Sequence, residues 1–151
     1  MDNPRFTNMT IGFHTGGDDK NPETRLEIFI VHRDGDPALA YLDVRGQGYP
    51  NNSDITPAPV APQPGVAPFR LADLGIGNPD PNVFENISVK ITHQDGTDKS
   101  DSWIFNFNAV LHFEDGTTVT FDSETVTLTI DGNNQHFWNL KTGTISRAAA
   151  V

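Results

Sequence analysis

The sequence predicts an all-β fold, an antiparallel β-sandwich of eight or nine short strands in a single domain over residues 1–151. Three observations lead there. The stretch Asp101–Phe113 (DSWIFNFNAVLHF) alternates strictly, with Trp103, Phe105, Phe107, Ala109, Leu111 and Phe113 on one side. Ile104, Asn106, Asn108, Val110 and His112 fall on the other, and a period of two means extended chain with one buried face. Shorter runs of the same kind recur along the chain, separated by clusters of Gly, Pro, Asn and Asp. No stretch commits to a helix.

The elements follow in order. Phe6 to His14 places Met9, Ile11 and Phe13 together and is the first strand. Thr15 to Thr24 is too rich in Gly, Asn, Asp and Pro for regular structure, so it is a loop. Arg25 to His32 is nearly continuously apolar and suits a central strand covered on both faces. Ala38 to Val44 is a weaker strand, with a short helix as the alternative because of its Ala and Leu. Prolines crowd residues 45–67, which predicts a long surface loop or edge excursion.

Pro68 to Asp73 reads as a short strand, and Asn86 to His93 as a half-exposed strand with Ile87, Val89 and Ile91 inward. Glu114-Asp115-Gly116-Thr117 after the main strand is a tight hairpin turn, since Asp-Gly between alternating runs is a strong hairpin signal. Thr118 to Phe121 and Thr125 to Ile130 are further strands, with Val126, Leu128 and Ile130 inward in the second. Gln135 to Leu140 closes the sheet, and the last residues form a frayed tail.

The chain has no cysteine, so stability comes from packing, alone or with bound ions. A formal net charge of −10 repels phosphate backbones, which excludes nucleic acid as a natural partner. It also disfavours anionic lipid unless a cation bridges the two. No run reaches membrane-spanning length, and the start lacks the basic and apolar regions of a signal peptide. These features imply a protein that stays inside the cell, leaves by another route, or has been processed.

Calcium is the first chemistry the residues suggest. Asp18, Asp19, Glu23 and Thr24 share one loop, and Asp95, Asp98 and Asp101 share another. Calcium takes about six to eight oxygen ligands from flexible loops, and Gly16, Gly17 and Gly96 let backbone carbonyls turn inward. Loops gather at one end of a sandwich, so the two sets are placed to meet. The alternative is solvated surface in an acidic protein. The five histidines, His14, His32, His93, His112 and His136, show no close pair or HExxH, and read as polar strand residues. No Gly-x-Ser-x-Gly is present, so nucleophilic catalysis has no signature. Sandwich modules that hold sugars use exposed Trp or Tyr as stacking platforms; Tyr49 in the proline-rich loop and Trp138 on the last strand are the candidates, with ordinary packing as the alternative.

With these residues placed, the order of features resembles the PLAT (lipoxygenase-homology, LH2) domain, a C2-like β-sandwich. The matching parts are Ile11-Gly12-Phe13-His14-Thr15-Gly16-Gly17-Asp18-Asp19, the strand Leu26–Val31, Pro68-Phe69-Arg70-Leu71-Ala72-Asp73-Leu74-Gly75, Ile87–His93 and Trp103. Glu23-Thr24-Arg25 stands where that family usually carries Gly-Thr-Asp. The chain is also similar to bacterial β-sandwich proteins of no assigned activity that carry Asp-Asp-Lys before a Thr and later an Asp-Ser/Thr-Trp-x-Phe-Asn-Phe strand. The PLAT resemblance implies a C2-like sandwich; a jelly-roll-like arrangement is the other form the pattern allows. It further implies non-enzymatic binding to lipid or a protein partner, with calcium held by Asp18, Asp19 and Asp95.

The expectation is therefore a non-catalytic binding module, calcium-assisted, for a lipid head group, a glycan or a protein. Its metal ligands would come from Asp18, Asp19, Thr24, Asp95, Asp98 and Asp101. A structural or assembly protein, of an appendage, a phage particle or an injection apparatus, is the alternative from another class, and an oligomer fits it.

Overall fold

In the computed structural model the described residues are 3–17, 25–32, 38–44, 48–76, 87–94, 102–129 and 134–147. They hold eleven strands: β1 (Phe6–Thr15), β2 (Arg25–Val31), β3 (Ala40–Val44), β4 (Asp54–Ile55), β5 (Ala61–Pro62), β6 (Ser88–Gln94), β7 (Ser102–Phe113), β8 (Thr118–Asp122), β9 (Val126–Thr129), β10 (Gln135–Asn139) and β11 (Thr144–Ser146). The count exceeds eight or nine because β4, β5 and β11 are pieces of two or three residues. Such short pieces carry too few residues to show a period.

The strands form two antiparallel sheets packed as a β-sandwich. One sheet has the order β11-β8-β7-β1-β4, with β9 also pairing β7. The other has the order β10-β6-β2-β3-β5. β7 is the spine of the first sheet: β1 lies along almost its whole length, while β9 takes its first half and β8 its second. The buried side of β7 carries the six residues that the alternation assigns there, Trp103 through Phe113. Their rings interlock rather than merely adjoin. Trp103 stacks on Phe105 with centroids 3.9 Å apart, and Phe13 from β1 tilts against Trp103 and meets Phe105 edge-on. Aromatic pairs in these geometries add about 0.5–1.5 kcal/mol each beyond the area they bury.

β2 is the central strand of the second sheet, between β6 and β3, and five of its seven residues are buried; Leu26, Ile28 and Ile30 are fully so. The segment Ala40–Val44 is a strand, not a short helix. Tertiary pairing with β2 overrides its helix propensity.

The proline-rich stretch is bound to both sheets. β4 pairs with the end of β1, Val60 bridges Met9, and β5 pairs with β3. It thus runs from the edge of one sheet to the edge of the other. Pro62 lies in a two-residue edge strand, where its missing N–H costs no ladder bond. The expected strand over Pro68–Asp73 is replaced by a single Arg5–Arg70 bridge followed by a 3-10 turn, Leu71–Leu74. The Asp73 carboxylate accepts the Arg70 backbone N–H at 2.8 Å, and Gly75 ends the turn at φ 68°. Leu71 and Leu74 are thereby buried together, while Phe69 stacks on Phe6.

The hairpin at Glu114–Thr117 forms as expected, with Gly116 at φ 88°. Chain beyond the expected last strand adds a second 3-10 turn, Leu140–Thr142, and then β11 on the edge beside β8. Ile130 and the last four residues lie outside the described residues. Among the described residues no helix is long and apolar enough to cross a membrane.

Candidate functional site

Both acid-rich loops start and finish at one end of the sandwich. Residues 18–24 lead from β1 in one sheet to β2 in the other, and residues 95–101 lead from β6 back to β7. Their described flanks are direct neighbours. Arg25 at the start of β2 pairs with Gln94 at the end of β6. Within the six-stranded sheet, the Gly16 N–H just past β1 donates to the Ile104 carbonyl of β7 at 2.8 Å. The turn at residues 51–53 joins the same end, where Thr15 donates its backbone N–H to Ser53 and Asn52 donates to Gly16. His93 N–H donates to the Asn134 carbonyl, which brings the segment before β10 there as well.

The six expected metal ligands, Asp18, Asp19, Thr24, Asp95, Asp98 and Asp101, lie outside the described residues. Among the described residues no three His, Asp or Glu side chains gather in a metal-binding group. The described flanks of the two acid-rich segments lie side by side, Arg25 with Gln94 and Gly16 with Ile104.

The aromatic candidates are corrected. Tyr49 is fully buried, edge-on to Trp103 at 5.3 Å, and Trp138 is 3% exposed, edge-on to Phe107 at 4.8 Å. Neither offers a ring face to a sugar. Both were ambiguous in sequence for one reason: alternation is silent in a proline-rich loop and in a run where Phe137 and Trp138 are adjacent. Burial pushes the Tyr49 phenol up to about 12.

The histidines separate into two kinds. His93 is buried, with its ring edge-on to Trp103 and Nδ1 3.4 Å from the Leu128 carbonyl. The others are at least partly exposed. On the outer face of the six-stranded sheet, His14 Nδ1 lies 2.7 Å from Asp54 Oδ1, and His112 Nε2 lies 3.3 Å from Thr10 Oγ1.

That outer face carries a groove. Its volume is about 240 Å³, and Gly12, His14, Asp54, Thr56, Asn106 and Asn108 line it. The strand register builds it directly: Asp54, His14 and Asn106 lie side by side across β4, β1 and β7, and Gly12, Asn108 and Asp122 form the next row. Asn108 Nδ2 donates to Asp122 Oδ1 at 2.6 Å, so the amide is oriented. The outward positions Asn106, Asn108 and His112 were legible from the alternation. The pairing of His14 with Asp54, forty residues away in the proline-rich stretch, was not.

The outer face of the other sheet holds an ion cluster that the sequence analysis did not single out. Arg25 Nε donates to Asp43 Oδ1 at 3.0 Å and a second guanidinium nitrogen donates to Oδ2 at 3.3 Å. The Tyr41 hydroxyl donates to Glu27 Oε2 at 2.7 Å, and Glu27 is only 8% exposed. The hydrogen bond to Asp43 raises the Arg25 pKa further, and burial followed by the bond to Glu27 raises that of Tyr41. Lys90 lies 5.4 Å from the ring centres of both Phe29 and Phe137. The residues alternate as Arg25, Glu27 and as Tyr41, Asp43, which was the available signal.

The fold and these surfaces define a class, an all-β protein of two packed antiparallel sheets with polar outer faces. Comparison of the chain with known families, with characterised proteins and with solved structures gives no match.

Proposed function

We propose that the protein is a non-catalytic binding module with a C2/PLAT-like sandwich, and that calcium bound between residues 18–24 and 95–101 assists its binding. One observation carries the reading: the flanks of the two acid-rich loops, Arg25 with Gln94 and Gly16 with Ile104, lie together at one end. Asp18, Asp19, Thr24, Asp95, Asp98 and Asp101 would supply the oxygen ligands, with carbonyls completing the set. A cation there offsets part of a formal charge of −10 and lowers the repulsion between the loops. The partner class is a lipid head group, a glycan or a protein. Thermal melting with a chelator and with added calcium tests the reading, because a ligand of the folded state alone must raise the midpoint.

A further inference from the structure

We infer that the groove on the outer face of the six-stranded sheet is a binding site for a neutral, hydroxyl-rich ligand, a sugar ring of an oligosaccharide. The inference rests on the binding-module reading and names its ligand class, but it does not need the calcium.

The groove has the size of a small-ligand subsite, about 240 Å³, below the range of drug-sized pockets. Its floor is open because residue 12 is glycine. A Cβ there would already meet Thr56 Oγ1 at 3.4 Å, and larger side chains would fill the space. Gly12 has no positive φ, so the backbone itself does not demand glycine.

The lining chemistry selects the ligand. Asp54, Asn106, Asn108, His14 and Thr56 offer both donors and acceptors, and neighbours across the strands are about 5 Å apart. Among the described residues no Lys or Arg lines the groove, so they offer a phosphate or an acidic sugar no permanent counter-charge. Among the described residues the apolar side chains lining it are Phe13, Ile55 and Phe107, and Phe13 and Phe107 are turned into the core, so they offer an acyl chain no trough. Each hydroxyl of a polyol both donates and accepts, which matches a mixed set.

Two of these groups, His14 and Asn108, have an oriented partner before any ligand arrives. Asp54 engages His14 Nδ1 and leaves Nε2 for another partner. Asp122 engages Asn108 Nδ2 and leaves the amide oxygen as an acceptor. Fixed side chains lose less entropy on binding.

The test is calorimetric titration of the full chain with a panel of neutral oligosaccharides, each with calcium and with a chelator. Asn106→Ala, Asn108→Ala and Gly12→Val are measured alongside, with melting curves to confirm the fold. The expected result is saturable binding of at least one neutral oligosaccharide, weakened about tenfold by either Asn substitution and abolished by Gly12→Val. Each variant keeps the parental response of the melting midpoint to calcium. Absence of saturable binding at millimolar sugar overturns the inference, as does binding that all three variants leave unchanged. Should Gly12→Val fail to fold, the two Asn variants decide. Groove-dependent sugar binding without any calcium response upholds this site and overturns the calcium proposal; the reverse result does the opposite.

Discussion

Trp103 Nε1 donates a 3.1 Å hydrogen bond to Thr15 Oγ1, and both residues are fully buried. Thr15 is the last residue of β1 and Trp103 the second of β7. The bond therefore ties the largest core ring to the strand end from which the first acid-rich loop departs. Thr15→Val keeps the shape and removes the acceptor, leaving the indole N–H buried without its partner. We expect a loss of about 1–3 kcal/mol, read from the urea midpoint at unchanged m-value. Thr15→Ser retains the hydroxyl and should lose less. Equal stability of Thr15→Val and the parent would show that this bond carries no weight.

Two glycines should differ in their response to the same change. A Cβ on Gly143 would lie 2.7 Å from Val119 Cγ1 and 3.2 Å from the carbonyl oxygens of Leu140 and Thr120. Two of those three atoms belong to the backbone, so relief requires the β8–β11 edge to move. Gly143→Ala should destabilise by about 1–3 kcal/mol. A Cβ on Gly17 meets nothing within 4 Å, and Gly17→Ala should change stability by no more than about 0.5 kcal/mol. Chemical denaturation of the two variants in parallel checks the contrast.

Alkaline pH should weaken the fold through Tyr49. Burial holds its phenol protonated to about 12, whereas a free tyrosine ionises near 10. The folded state thus keeps a proton that the unfolded state releases. The contribution is fully present below about pH 10 and is lost as pH rises through about 12, up to roughly 2 kcal/mol. Urea midpoints measured between these limits should fall with pH in the parent and fall less in Tyr49→Phe.

How much of this could be read in the sequence depended on whether a local period existed. β7 was legible from end to end, because its side-chain phase is set by alternation alone and its partners only confirm it. The inward set of β6, Ile87, Val89 and Ile91, was legible for the same reason. Tyr49 was not, since its burial against Trp103 depends on a contact more than fifty residues away. Trp138 and Phe137 compete for the inward position; packing against Phe107 turns Trp138 in, and Phe137 goes to Lys90. The 3-10 turn at Leu71–Leu74 escaped because its determinant is one side-chain contact, Asp73 to the Arg70 N–H, rather than a pattern. Of the candidate site, the outward amides Asn106 and Asn108 were visible, while the His14–Asp54 pair waited on the register of β4.

The binding-module proposal turns on whether the converging loop ends hold calcium. The most direct measurement is the thermal midpoint of the chelator-treated protein, compared with the same sample in millimolar calcium. Ligand at about a hundred times its dissociation constant stabilises by about 2.7 kcal/mol, which for a domain of this size raises the midpoint by several degrees. Asp18→Asn and Asp98→Asn should each reduce that rise. An unchanged midpoint at millimolar calcium would contradict the proposal.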